Sequence, residues 1–90
     1  MATIDLTPEA RKQFGDLPKT IKRRVEQLVE RLQEWPEVSG IKPLSGNLAG
    51  RYRARTGDYR IQFQVERLSD ESDWLLTVEK IGHRDGFYDE

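Results

Sequence analysis

The sequence predicts an α+β domain in which two antiparallel helices cover one face of a sheet that contains an antiparallel three-strand meander. Apolar residues recur with a helical period between residues 18 and 34, and they alternate with a period of two after residue 50. Helical segments precede three consecutive strand-like segments, and this grouping is typical of α+β rather than alternating α/β domains. A short N-terminal strand, two helices and a three-strand meander are therefore expected in that order.

The composition limits both the size and the chemistry of the domain. No repeat or linker interrupts the 90 residues, so residues 1–90 are predicted to form a single domain. The absence of cysteine excludes a disulfide framework, a thiolate nucleophile and a zinc site with cysteine ligands. No signal segment or long apolar run is present, so a cytoplasmic protein without membrane association is expected.

The first two predicted elements are a strand and a short helix. Residues 2–6 alternate in polarity and are short enough for an edge strand. Thr7 is predicted to accept a hydrogen bond from the free amides of the next turn, and Pro8 suits a first helical position. This helix is expected to turn Phe14 inward and to end at Gly15.

The second helix has the clearest pattern, from residue 18 to about residue 34. Its apolar residues follow one another at steps of 4, 3, 1 and 3, which places them along one stripe of the helix. Pro36 is expected to end it, because the residue before a proline disfavours helical geometry. The stripe consists of Ile21, Val25, Leu28, Val29 and Leu32.

The second half of the chain is predicted to be a loop followed by the meander. Residues 39–50 are rich in Gly, Pro, Ser and Asn, which is typical of a loop. Strands are expected at residues 51–55, 59–66 and 74–81, with polar turn residues before the last of them.

The first hairpin has two possible registers, and the side-chain pattern favours one of them. A two-residue turn at Gly57 and Asp58 pairs Thr56 with Tyr59 and keeps apolar residues on a single face. A three-residue turn would pair Arg55 with Tyr59 and mix the two faces, which a fixed register avoids. The favoured register pairs Ala54 with Ile61 and Tyr52 with Phe63 on the apolar face.

The favoured register also collects arginines on the opposite face. Arg55 is placed across from Arg60, and like charges directly opposite destabilise a sheet by up to roughly 1 kcal/mol. A bound phosphate would relieve this repulsion through charge-assisted hydrogen bonds, so the face is a candidate polyanion site. Solvated surface arginines are the alternative interpretation. The same register places Arg53 across from Gln62 and Arg51 across from Gln64.

The distribution of charge along the sequence supports the polyanion site, although the net charge of the chain does not. The formal net charge is −1, whereas nucleic-acid binders usually carry a basic excess. Residues 51–60 nevertheless contain four basic residues and one acidic residue, and residues 61–90 contain three basic and eight acidic residues. The total therefore averages a concentrated basic segment with acidic surroundings.

Three residues near the C terminus add candidate chemistry. His83 is the only histidine, and its side chain exchanges protons readily at neutral pH. Arg84 follows it directly, and Tyr88 is able to stack on an unpaired base. Each is also compatible with an incidental surface or packing role.

Two segments together carry a family resemblance. The run LAGRYRARTGDYRI at residues 48–61, followed by IGHR at residues 81–84 and by Tyr88, resembles the RelE branch of the RelE/ParE toxin superfamily. These proteins are the toxins of type II toxin–antitoxin pairs. The resemblance extends over essentially the whole chain and includes the order of elements.

The resemblance implies a ribosome-dependent, metal-independent endoribonuclease without a cofactor, which inhibits translation by cutting mRNA in the ribosomal A site. The ribose 2′-hydroxyl would attack the adjacent phosphate. By position, Arg53 and Arg55 match the family's basic residues on the first hairpin strand, and Arg60 matches its arginine on the second. Arg84 matches the arginine after the last strand, and Tyr88 matches the C-terminal tyrosine.

The expected roles follow from the side-chain chemistry. The strand arginines would stabilise negative charge in the transition state, while Tyr88 would stack on a base and align the attacking oxygen. Some relatives carry lysines on the first strand, and arginine cannot act as a base, so His83 is the leading proton-transfer candidate. Its partner would be a ribosomal group, water, or a carboxylate such as Asp85 or Asp89. Arg51 and Gln62 are expected to contact RNA.

The resemblance leaves alternatives open and implies partners. One alternative is a ParE-like toxin that inhibits DNA gyrase without chemistry of its own, and another is a degenerate toxin that acts only as a repressor with its partner. All three imply a cognate antitoxin that wraps the helices and the sheet edge. The endoribonuclease hypothesis also implies binding to a ribosome with bound mRNA. The toxin–antitoxin complex is expected to bind operator DNA through the antitoxin.

Overall fold

A computed structural model describes residues 2–68 and 73–87, and it confirms the predicted α+β fold. Five strands and three helices are present in this part of the chain. The strands are β1 (Ala2–Leu6), β2 (Lys42–Pro43), β3 (Arg51–Thr56), β4 (Tyr59–Arg67) and β5 (Trp74–His83). The helices are α1 (Pro8–Gly15), α2 (Lys19–Leu32) and α3 (Arg84–Phe87), and a 3₁₀ turn spans Gly46–Leu48.

The strands form one sheet in the order β1-β5-β4-β3-β2. The predicted meander is present, since β3, β4 and β5 are joined antiparallel in sequence order, while β1 pairs with β5 in parallel. The prediction that residues 39–50 form only a loop is wrong. This segment contains the 3₁₀ turn and the two-residue strand β2, which pairs with β3.

The helix boundaries follow local capping chemistry. The Thr7 hydroxyl accepts a hydrogen bond from the Ala10 amide at 3.1 Å, and Pro8 is the first residue of α1. The second helix ends at Leu32, two residues before the predicted end. Its last turn tightens there, because the three following amides, up to that of Trp35, bond carbonyls three residues back. No helix within residues 2–68 and 73–87 is long and apolar enough to cross a membrane.

The hydrophobic core lies between the helices and one face of the sheet. Helix α2 contributes Val25, Leu28 and Leu32, all at most 2% exposed, and α1 contributes the fully buried Ala10. Trp35 packs edge-on against aromatic rings at the border of this core. The sheet contributes Ala54, Ile61, Phe63, Leu76, Val78 and Ile81.

Helix α1 also completes the edge of β5 where β1 has ended. The last β1–β5 pair joins Leu6 to Val78, and Thr7 then donates its amide to the Val78 carbonyl at 2.9 Å. Farther along the edge, the Ile81 amide donates to Oε1 of Gln13 at 2.7 Å. A helix side chain therefore replaces the missing strand partner at this position.

Candidate nucleic-acid interface

The opposite face of the sheet carries a cluster of cations that we call the arginine face. The predicted hairpin register is present in full, with Arg55 paired to Arg60, Arg53 to Gln62 and Arg51 to Gln64. Side chains of directly paired residues point to the same side, so these residues share one face. The register of β2 and β5 adds two lysines to it, because Lys42 pairs with Arg53 and Lys80 pairs with Gln62. The arginine face comprises Lys42, Arg51, Arg53, Arg55, Arg60, Gln62 and Lys80.

The two arginines nearest the hairpin turn are held differently. The Nη1 atom of Arg60 donates to the Gly57 carbonyl at 3.1 Å and approaches its neighbouring Tyr59 carbonyl at 3.4 Å. Gly57 has a φ of 60°, a left-handed conformation that glycine adopts without strain and that closes this turn. Arg55 is exposed and makes no hydrogen bond or ion pair within the described chain. The turn therefore holds the Arg60 guanidinium, while the Arg55 side chain directly across the ladder is unpaired within the described chain.

At the other end of β3, an acidic residue neutralises part of the face. Nε of Arg51 lies 2.8 Å from Oε1 of Glu79, and Nε2 of Gln62 donates to the same oxygen at 3.3 Å. Arg51 and Gln62, both predicted to contact RNA, thus contact one carboxylate that the sequence pattern does not indicate. The prediction does not account for this pairing, which compensates the charge of Arg51.

The same residues border an open polar cavity of about 380 Å³. Two carboxylates, Glu9 and Glu79, reach it together with the cations Arg51 and Lys80. Within residues 2–68 and 73–87, no group of three or more His, Asp or Glu side chains is placed to hold a metal ion. Asn47, Leu48 and Gln62 complete the lining.

A β-bulge in β5 explains why Glu79 and Lys80 were missed. The pairing of β4 with β5 shifts between Gln62 and Phe63, so Glu79 is an extra residue in the ladder. The bulge lets Glu79 and Lys80 both serve the arginine face, while Val78 and Ile81 both enter the core. A signal was present in the sequence, because the buried residues Val78 and Ile81 are three positions apart, whereas Leu76 and Val78 are two apart.

The short helix α3 folds back onto the arginine face. Phe87 is only 1% exposed and packs on Gly82, where an added Cβ would lie 3.4 Å from its ring. Gly82 pairs with Arg60, so Phe87 covers the cationic side of the sheet. The Lys80 ammonium lies 4.7 Å from the Phe87 ring centroid and donates to the Phe87 carbonyl oxygen. Lys80 therefore holds Phe87, the last residue of α3, against the arginine face.

His83 is not brought onto the arginine face. It pairs with Tyr59, and their rings meet edge-on at 5.2 Å, so strand alternation places the imidazole on the opposite side from Arg60. Nδ1 accepts a hydrogen bond from the Asp85 amide at 3.1 Å, which leaves Nε2 as the protonated nitrogen of the neutral ring. The imidazole is 41% exposed at the end of the sheet.

Arg84 lies beside the hairpin turn. Its amide donates to the Asp58 carbonyl at 2.8 Å, and its Nε atom lies 3.8 Å from the Asp58 carboxylate and 3.6 Å from that of Asp85. The side chain is 59% exposed, so these are weak surface pairs. Tyr88, the remaining predicted site residue, lies outside the described residues.

The fold resembles solved toxin structures. The toxin–antitoxin complex RelBE2 from Mycobacterium tuberculosis superposes with a TM-score of 0.75 at 29% sequence identity, covering 91% of this chain and 96% of that chain. The RelE–RelB complex from Pyrococcus horikoshii gives a TM-score of 0.69 at 26% identity over 92% and 94% of the two chains. The isolated RelE toxin of E. coli gives 0.67 at 17% identity over 89% and 81%, a likeness of fold alone.

Sequence comparison identifies the family. A search against curated proteins gave no significant match. The family model for the ParE toxin of type II toxin–antitoxin systems matches residues 4–86, which is most of the chain and includes the whole hairpin and β5. Together with the RelE-type folds, this match shows that the chain belongs to the ParE toxin family of the RelE/ParE superfamily, the toxins of type II toxin–antitoxin systems.

Proposed function

We propose that this toxin is an endoribonuclease that cleaves mRNA in the ribosomal A site without a metal ion. The observation that carries the proposal is the pairing of Arg55 with Arg60 on the face of the sheet opposite α1 and α2. Opposed guanidinium groups work against folding, but they suit a phosphate that carries extra negative charge in its transition state. The nearby Arg53 adds a third guanidinium to the same face.

The reaction needs little from the protein besides charge and alignment. The 2′-oxygen of one nucleotide attacks the adjacent phosphorus, the bond from phosphorus to the 5′-oxygen breaks, and a 2′,3′-cyclic phosphate and a 5′-hydroxyl result. The 2′-hydroxyl loses a proton and the leaving 5′-oxygen gains one. Arg55 and Arg60 would bind the non-bridging oxygens, with Arg60 already oriented by its bond to the turn carbonyl.

Proton transfer is assigned to the end of the sheet. His83 is the proposed donor or acceptor, acting through its Nε2 atom, because the Asp85 amide occupies Nδ1. Since His83 lies on the other side of the sheet from Arg60, the reacting phosphate would have to lie at the end of the sheet for both side chains to contact it. There the Arg60 guanidinium reaches the turn and the His83 ring meets Tyr59. Arg84 is exposed at this end and would bind the next phosphate. Tyr88 is proposed to stack on a base.

The proposed partners follow from the family. A cognate antitoxin is expected to bind the toxin and to carry the complex to operator DNA. The M. tuberculosis structure is a toxin–antitoxin complex, and the P. horikoshii structure is a RelE–RelB complex. The substrate is mRNA bound to the ribosome, which places the proposed activity in the cytoplasm. No cofactor is required by this scheme.

The test is cleavage of a defined message on purified ribosomes by the wild type and by Arg60→Ala. Removing one preorganised donor for the transition state typically costs roughly 10²–10³ in rate. The matched control is Arg31→Ala, because Arg31, like Arg60, is an arginine that donates to a backbone carbonyl, in this case that of Ser39. Equal cleavage by the wild type and Arg60→Ala would remove the assigned site.

A second candidate is inhibition of DNA gyrase, and it is favoured by one observation, the match to the ParE family model. In this scheme the chain would act by protein contact alone. A supercoiling assay with purified gyrase separates the two candidates. Loss of supercoiling without cleavage of ribosome-bound message would establish the second and exclude the first.

A further inference from the structure

The first two turns of α2 carry a basic surface that the proposed active site does not use. Lys19, Arg23 and Arg24 are exposed and Lys22 is half-buried; we call these four residues the α2 patch. The first turn of this helix contains no acidic residue, and its N-terminal cap, Pro18, makes no side-chain hydrogen bond. Cations at a helix N-terminus oppose the helix dipole, so this arrangement does not favour folding.

The patch is continuous with the arginine face around the hairpin turn. An added Cβ on Gly57 would lie 3.4 Å from Nη1 of Arg24, so this guanidinium reaches the turn from the helix side of the sheet. Arg60 reaches the carbonyl of the same glycine from the other side, at 3.1 Å. One turn is therefore flanked by guanidinium groups from both faces of the domain.

The chain does little to compensate these charges. None of the four cations of the α2 patch makes an ion pair within residues 2–68 and 73–87. The nearest acidic residue along the helix is Glu26, which borders the same surface as Thr20 and Gln27. Four cations against one carboxylate leave a net positive surface on a chain whose formal net charge is −1.

We propose that the α2 patch binds the phosphate backbone of structured RNA beside the message, as a docking surface additional to the arginine face. This proposal rests on the proposed ribosomal function for the identity of that RNA. Unpaired lysines and arginines on a helix contact phosphates without reading sequence, and they make binding strongly dependent on salt. An RNA that passes from the α2 patch around Gly57 meets Arg24 on one side of the turn and Arg60 on the other.

The experiment measures binding to purified ribosomes over a series of KCl concentrations. The message carries a 2′-O-methyl group on the A-site codon, which prevents cleavage and isolates binding. The variant Lys19→Gln/Arg23→Gln/Arg24→Gln removes three exposed cations, and Arg11→Gln/Lys12→Gln/Arg31→Gln removes three exposed cations elsewhere as the matched control. A second arm measures both variants on a short RNA hairpin without ribosomes.

The patch variant is expected to flatten the slope of log affinity against log salt by about 2, since each lost phosphate contact changes it by roughly 0.7–0.9. The control is expected to retain the wild-type slope. The melting temperature of the patch variant should be equal to or above that of the wild type, because removing cations from the start of a helix relieves the helix dipole. A flatter salt slope together with an unchanged or higher melting temperature shows that the variant has lost contacts with RNA and is still folded.

The outcomes distinguish this proposal from the catalytic one. A flattened slope on the RNA hairpin supports the patch even if the wild type does not cleave ribosome-bound message, an outcome that would defeat only the proposed function. An unchanged slope on both ribosomes and hairpin overturns the patch proposal. It is equally overturned if the variant binds the antitoxin more weakly and RNA with wild-type affinity, because the patch would then be a protein interface.

Discussion

The opposed pair Arg55 and Arg60 predicts a mutation that stabilises the protein while it impairs activity. Arg55 is exposed, directly opposite Arg60 in the ladder, and makes no hydrogen bond or ion pair within the described chain. Replacing it by Gln removes the repulsion without breaking a contact, and replacing it by Glu converts repulsion into attraction. Both changes remove a cation from the proposed phosphate site.

The magnitude follows from the geometry of the pair. Like charges directly opposite cost up to roughly 1 kcal/mol, and solvent exposure reduces this to about 0.5 kcal/mol for the Gln variant. The Glu variant also gains an attraction of similar size, which gives a total of about 1 kcal/mol. For a domain of this size, 1 kcal/mol corresponds to roughly 4–8 °C in melting temperature. Arg55→Gln is therefore expected to melt about 2–4 °C higher than the wild type, and Arg55→Glu about 4–8 °C higher.

Thermal unfolding followed by circular dichroism measures the effect at low salt and in 1 M KCl. The gain should shrink at high salt, where the screening length falls to about 3 Å. Arg31→Gln serves as the control, because Arg31 is an exposed arginine on α2 that belongs to neither the arginine face nor the α2 patch. Arg31 donates to the Ser39 carbonyl, so its replacement is expected to give no gain in melting temperature. A melting temperature for Arg55→Glu at or below that of the wild type would show that the pair costs nothing, and the argument for an anion site from repulsion would fail.

Three further predictions concern residues around β5. Gln13→Ala leaves the Ile81 amide without its acceptor, and the free energy of unfolding should fall by about 1–3 kcal/mol in a urea titration; a loss below 0.5 kcal/mol would show that water replaces the side chain. Lys80→Met removes the ammonium that holds Phe87, so amide hydrogen exchange in α3 should accelerate, while Lys80→Arg should retain slower exchange; equal rates in all three proteins would contradict the assigned contact. His83→Gln should lower ribosomal cleavage by roughly 10²–10⁴-fold with little change in ribosome binding, measured by single-turnover assays; cleavage within threefold of the wild type would remove His83 from the proton transfer.

The hairpin register was predictable because the alternative register mixes charged and apolar residues on one face of the sheet. A shift of one residue would have placed arginines among Tyr59 and Ile61, and the structure has the register that avoids this. The start of α1 was predictable for a similar reason, since Thr7 and Pro8 form a local cap that needs no tertiary contact. Both features depend on neighbouring residues alone.

The features that were missed depend on distant parts of the chain. Lys42 joins the arginine face only because a two-residue strand pairs with β3, and so short a segment has no period to detect. Phe87 is buried by its contact with Gly82, which depends on how α3 folds back. The pairing of Glu79 with Arg51 joins residues 28 positions apart, and local pattern does not indicate it.

The bulge at Glu79 determines which side of the sheet each later residue of β5 faces. With strict alternation from Val78, Ile81 would face the cations, Gly82 would enter the core, and His83 would stand beside Arg60. The inserted residue reverses all three assignments. Deletion of Glu79 would therefore leave a regular ladder in which Lys80, Ile81 and His83 keep their present sides, and it would remove the carboxylate that neutralises Arg51.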